Sequence, residues 1–146
     1  MSSASHLARR FVLSLSRTEP APADVNWVLS QLLPAEAELW QRMMLQDRRH
    51  ALLVARRFVE RRPSASRDEV AGALLHDIGK VDCTLGSVAR VVATIIGPRG
   101  ERFRRYHDHE RIGAELLRAA GSSAVTIDLV EGRGPAAAAL ADADDV

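Results

Sequence analysis

A histidine and an aspartate stand side by side in Leu74-Leu75-His76-Asp77-Ile78-Gly79-Lys80, at the end of an apolar stretch, and His50 precedes them by 26 positions. Burying two ionisable groups without partners is expensive. A divalent cation relieves that cost, because neutral imidazole and carboxylate both ligate such ions. Neighbours on a regular helix point roughly 100° apart, so the doublet can converge on one ion only where a helix ends. Gly79 is expected to mark that end. The absence of thiolates from the set argues against structural zinc. Imidazole and carboxylate donors suit Mn, Fe, Co, Ni or Mg, and nothing in the sequence selects among them. Lys80 is the only lysine among 20 Lys and Arg residues. Its compact charge suits a phosphate oxygen. The competing reading makes His50 and His76 hydrogen-bonded core residues and the aspartates helix caps.

The elements that would position these residues read as one helix after another. No stretch shows sustained period-2 alternation, so no strand is expected. Helices are predicted over residues 6–16, 24–33 and 35–44, with Pro34 at a first helical position and residues 18–23 as a linker around Pro20 and Pro22. Asp47 is expected to cap a helix running to about residue 62, with Leu52, Leu53, Ala55 and Val59 near one face. Ser66 with Glu69 forms a capping-box signature for a helix over 67–76. Residues 84–96 read as an apolar helix, 99–105 as a basic loop, and 108–120 as a helix stopped by Gly121. Ser122 or Ser123 starts a short helix to 130. Gly132 and Gly134 break it, and Pro135 opens the last helix, to 146.

Composition describes an ordinary globular chain. Its 146 residues fit one domain, with 47% apolar and 27% charged residues. Aromatic residues make up 4%, so Leu, Val, Ile and Ala must build the core. Packing is the expected role of Trp27, Trp40, Met43 and Met44. The single cysteine, Cys83, excludes an internal disulfide and fits a reducing compartment. No apolar run approaches the ~20 residues of a membrane span. The short run after Arg9-Arg10 ends at Ser14, too early for a secretory signal. A cytoplasmic, non-membrane protein is expected. The formal net charge of +1 gives no field for nucleic acid, and none is expected as a partner.

The ordered elements resemble the HD superfamily of metal-dependent phosphohydrolases. That family carries a histidine on one helix, a His-Asp doublet at the end of a later helix and an aspartate near the domain end. Arg49-His50-Ala51-Leu52-Leu53-Val54-Ala55 resembles the first-histidine helix, and Ala71-Gly72-Ala73-Leu74-Leu75-His76-Asp77-Ile78-Gly79-Lys80 the doublet helix. His109-Glu110-Arg111-Ile112-Gly113-Ala114 is similar to the His-x-x-x-Gly-Ala helix of many members, and Ala143-Asp144-Asp145 to the closing Ala-Asp. The likeness runs from about residue 47 to 146. It implies an all-α fold, a single compact helical HD-like bundle, with residues 1–46 as an N-terminal helical extension packed on the domain of residues 47–146.

The resemblance also assigns roles. Metal ligands would be His50, His76, Asp77 and Asp144, with Asp142 close behind Asp144 as the last of them. Asp77 would orient a water as well. Lys80, and in the basic segment Arg102 and Arg105 with Arg99 and Arg104, would neutralise a phosphate through charge and bidentate contacts. The plain alternative for that segment is a solvated loop. His109 stands where some members carry the first of two histidines for a second ion. The second is missing from Val130-Glu131-Gly132-Arg133-Gly134, which speaks against a dinuclear site, with Glu131 a weak substitute ligand. His109 is then a proton donor for the leaving group or a surface residue. The implied function is hydrolysis of a small phosphorylated metabolite or nucleotide. The alternative is an HD-type regulatory or ligand-binding module with little or no turnover.

Overall fold

A computed structural model of the chain describes residues 19–80 and 102–145, with side chains in the second stretch described from Glu110 onward. All regular structure among the described residues is helical. In chain order the helices are α1 (Pro22–Gln31), α2 (Pro34–Arg42), α3 (Leu45–Arg61), α4 (Arg67–Leu74), a 3-10 turn (Ile78–Lys80), α5 (Arg102–Ala119), α6 (Ala124–Val130) and α7 (Ala137–Asp144). The segments expected as helices over 6–16 and 84–96 lie outside the described residues, as do Cys83 and Arg99.

The short helix α4 is the centre of the bundle. Every residue from Glu69 to Leu74 is buried, because α1, α3 and α6 all pack against it. The longest of these, α3, turns Ala51, Val54, Ala55 and Phe58 inward at helical spacing. One buried cluster joins Val28 of α1, Trp40 of α2 and Phe58 of α3 to Leu74, Leu117, Leu129 and Leu140. The helices before residue 45 therefore share a core with the rest of the chain. At the surface, the Arg56 guanidinium lies 3.9 Å over the Trp27 ring and donates to Asp24 at 3.0 Å, tying α3 to α1.

Local chemistry starts and stops these helices. Pro22 and Pro34 open α1 and α2, where a missing N–H costs nothing. Pro22 thus begins a helix and is not part of a linker. The Ser66 hydroxyl accepts from the Glu69 amide at 3.2 Å and the Glu69 carboxylate accepts from the Ser66 amide at 2.9 Å, a closed capping box. The Ser123 hydroxyl caps α6 by accepting from the Thr126 amide. Gly121, at φ +79°, ends α5. Its amide bonds to Arg118 O and that of Ser122 to Leu117 O, the paired bonds of a left-handed C-terminal cap.

Three boundaries differ from expectation in ways that matter for function. Helix α3 starts at Leu45 behind an extended Met44, so Asp47 lies inside its first turn and does not cap it. Helix α5 starts at Arg102, so most of the basic segment is helical. Helix α4 ends at Leu74, two residues early, and Gly79 sits within the 3-10 turn that follows. A smaller difference is that Pro135 lies in the turn before α7.

Candidate metal centre

The early end of α4 puts the doublet in a turn. Leu75, His76 and Asp77 lead directly into Ile78–Lys80, whose backbone is closed by Ile78 N to Leu75 O and Lys80 N to Asp77 O, both 3.0 Å. His76 Nδ1 donates to the Ala73 carbonyl at 2.7 Å, satisfying one of the carbonyls a helix end leaves open. This turn packs on α5 at Gly113. A Cβ there would meet Ile78 Cγ2 at 3.1 Å, Val130 Cγ1 at 3.3 Å and the Gly79 amide at 3.4 Å. Glycine is the residue that admits so close an approach of helix and turn.

Helix α3 packs against both α4 and α7. It thereby carries His50 to the doublet on one side and to the last turn of α7 on the other. His50 Nε2 lies 2.9 Å from Asp144 Oδ1, and His76 Nε2 lies 3.5 Å from the same oxygen. The imidazole centroids are 6.0 Å apart. One donor atom from each of His50, His76 and Asp144 falls within 4.8 Å of the other two. Asp142 points elsewhere, to Arg61 at 3.3 Å on the exposed side of α7. Of the two aspartates, Asp144 is the one grouped with the histidines.

His76 is the telling member. Its side chain is 10% exposed. Its Nε2 is buried without a hydrogen-bond partner. The bond from Nδ1–H to Ala73 leaves a lone pair on Nε2 in the neutral ring, aimed at two carboxylates. A backbone carbonyl behind one nitrogen and a bare lone pair on the other is the arrangement of a metal-ligating imidazole. The residues present therefore fit a divalent cation held by His50, His76 and Asp144.

The charges agree with that fit. The His50 imidazole hydrogen-bonded to Asp144, then the His76 imidazole 3.5 Å from it, hold the Asp144 carboxyl far below the usual carboxylate range. Burial pulls the His76 imidazole down, but Asp144, Asp77 and the Ala73 carbonyl outweigh it and leave its pKa raised. Asp144 is also the last residue of α7, where the helix dipole disfavours a negative charge. Both effects mark a spot that attracts a cation.

Asp77 and Lys80 stand beside this cluster. Asp77 Oδ2 is 3.4 Å from His76 Nε2 and 3.1 Å from Lys80 Nζ. Asp77 is thus in contact with one donor and paired with a lysine. Asp47 is a neighbour that sequence reasoning missed. It lies one turn ahead of His50 on the same face of α3. Burial raises its pKa, opposed by the charge of Lys80, with Asp77 and His50 also in reach. The signal was the i, i+3 spacing to His50, hidden by reading Asp47 as a cap.

Glu131, the substitute for the missing histidine, is engaged by arginines: Arg118 donates to it at 2.9 Å and Arg133 approaches it at 3.4 Å. Arg102, Arg105 and His109 all lie on α5, and their side chains are outside the described residues. Positions 105, 109 and 113 recur at i, i+4 spacing, so they share one face of the helix with Gly113. No protein-family model matches the chain, and no curated protein and no solved structure does either. No helix among the described residues is long and apolar enough to cross a membrane.

Proposed function

We propose that the chain holds a divalent metal ion at His50, His76 and Asp144 and hydrolyses a small phosphorylated metabolite or nucleotide. The observation that carries this reading is the buried, unpartnered Nε2 of His76, facing a carboxylate that a second imidazole already bonds. The resemblance to HD phosphohydrolases supports the reaction class. When bound, such an ion supplies a Lewis acid for a phosphoryl oxygen and lowers the pKa of a coordinated water.

The chain's own residues supply the rest. Asp77, against His76, is placed to orient a water at the site. Lys80, at the end of the 3-10 turn, carries the ammonium that balances phosphate charge. Arg102 and Arg105 on α5 add guanidinium groups for the same purpose. His109, on the helix face that includes Gly113, provides the proton for the leaving group. Asp144 is 40% exposed, so the cluster is reached by solvent from that side.

A second reading keeps the metal and drops the turnover. It is favoured by the engagement of Glu131 with arginines, since the turn between α6 and α7 holds no other acidic group and no imidazole for a second ion. The chain would then be a ligand-binding or regulatory module. Elemental analysis of protein purified without chelator, beside His76→Ala, tests the shared premise. About one equivalent of transition metal, lost in the variant, supports it. Hydrolysis of a generic phosphoester with Mn, abolished by His76→Ala and Asp77→Ala, selects the enzyme. Binding of nucleotide without hydrolysis selects the module. Absence of metal from both proteins, even after reconstitution, overturns both readings.

A further inference from the structure

Asp77 Oδ2 stands between two nitrogens. Lys80 Nζ is 3.1 Å away, and His76 Nε2, which has no hydrogen-bond partner, is 3.4 Å away. Asp77 therefore touches the candidate metal cluster while a cation of the chain itself already pairs with it. The three donors that lie mutually within reach are His50, His76 and Asp144, without Asp77.

The lysine is built to let go. Its side chain is 42% exposed, whereas Ile78 and Gly79 just before it are buried and fix the backbone. A long flexible stem on a fixed turn can move its ammonium without disturbing the core. A second carboxylate, Asp47 on α3 one turn before His50, feels the charge of Lys80 as well as that of Asp77.

We propose that Lys80 governs loading of the metal centre, holding Asp77 out of the ligand set in the metal-free chain and yielding it to an incoming divalent ion. The inference rests on the metal-dependent reading above and adds to it a role for Lys80 before any substrate arrives. An ammonium and a divalent ion on one carboxylate repel each other. At separations of about 5 Å that repulsion, even strongly screened, is worth about a tenfold change in affinity. Displacement also frees the ammonium beside the ion, where a phosphate needs a cation. One residue thus serves first as a placeholder and then as a phosphate contact.

Calorimetric titration of MnCl2 into chelator-treated protein tests this. Lys80→Met is expected to bind about tenfold more tightly than the parent chain, and Lys80→Arg, which keeps the charge, about equally. In an Asp77→Asn background, Lys80→Met is expected to bring little or no tightening, because no carboxylate remains for the lysine to hold. Circular dichroism should show an unchanged helix content in both lysine variants, as the side chain is outside the core. Lys80→Met binding no more tightly than the parent overturns the proposal, and so does a tightening that persists in full without Asp77. In both cases the parent chain binds Mn and the metal reading stands. Failure of every variant to bind Mn overturns the metal reading and this inference together.

Discussion

His50 Nε2 and Asp144 Oδ1 are 2.9 Å apart although 94 positions separate them in the chain. The contact joins the middle of α3 to the last turn of α7, so the final helix is docked through the candidate metal centre as well as through Leu140 and Ala143. Removing Asp144 should therefore act on ligand binding in a way that removing Asp142 does not. Asp144→Ala is expected to weaken Mn binding about 100-fold or more, the scale on which metal sites respond to loss of supporting groups. Asp142→Ala loses one exposed ion pair with Arg61 and should bind normally. The rise in melting temperature on adding Mn reads both out. A shift retained in Asp144→Ala and lost in Asp142→Ala would reverse the assignment.

Glu69 gives the fold an acid-sensitive element away from the metal. Burial opposes its charge, but the Ser66 amide and the Arg62 guanidinium outweigh burial and lower its pKa below 4.5. A carboxylate with a depressed folded-state pKa stabilises the fold above its unfolded value. That contribution is lost as the pH falls through the lower, folded one. Glu69→Gln should then cost about 1 kcal/mol near pH 7, the usual worth of a charge-assisted bond and cap. The difference should shrink below pH 4.5. Urea denaturation of the two proteins from pH 7 to pH 3 checks it, and a gap that widens in acid would refute it.

Glu36 offers a similar test at a buried position. It is 2% exposed, and its carboxylate accepts from the Leu33 amide at 2.8 Å and from the Ser122 hydroxyl at 2.7 Å. The second bond stitches α2 to the turn between α5 and α6. Ser122→Ala removes the donor and leaves a buried oxygen unpaired, which costs about 1–3 kcal/mol. Ser30→Ala, at an exposed local bond, should change stability far less.

What could be read from the sequence was local. The Ser66 and Glu69 pair is complete within four residues, and Gly121 announces its own left-handed turn. The all-helical class followed from periodicity that any packing arrangement would preserve. The start of α3 was less legible, because it does not begin with a capping side chain that sequence can recognise. Met44 caps by backbone geometry alone. That hid Asp47 from the site. The meeting of His50 with Asp144 is a tertiary fact, reachable from sequence only through the family resemblance. The pairing of Asp77 with Lys80 instead depends on how a 3-10 turn aims two side chains, which spacing alone does not reveal.

Gly113 connects the packing of the bundle to the geometry of the doublet. Alanine there gains about 1 kcal/mol of helix propensity over glycine. Its Cβ, however, must push against Ile78 Cγ2, Val130 Cγ1 and the Gly79 amide at 3.1–3.4 Å. The two side chains can give by a few tenths of an ångström, but the amide belongs to the turn that carries Asp77 and Lys80. Gly113→Val adds two further carbons to the same gap, and overpacking of this kind costs about 1–3 kcal/mol. Its second consequence is specific to the site. Relief by moving the turn shifts His76 and Asp77 relative to His50 and Asp144, which stand on other helices. Gly113→Val should therefore lose Mn affinity as well as stability, measured at a temperature where the variant is still fully folded. Gly121→Ala removes the left-handed cap of α5 and should lose stability while leaving Mn affinity intact, since nothing lies within 4 Å of its Cβ position. Equal Mn binding by the valine variant and the parent would mean that the turn holds its ligands independently of α5.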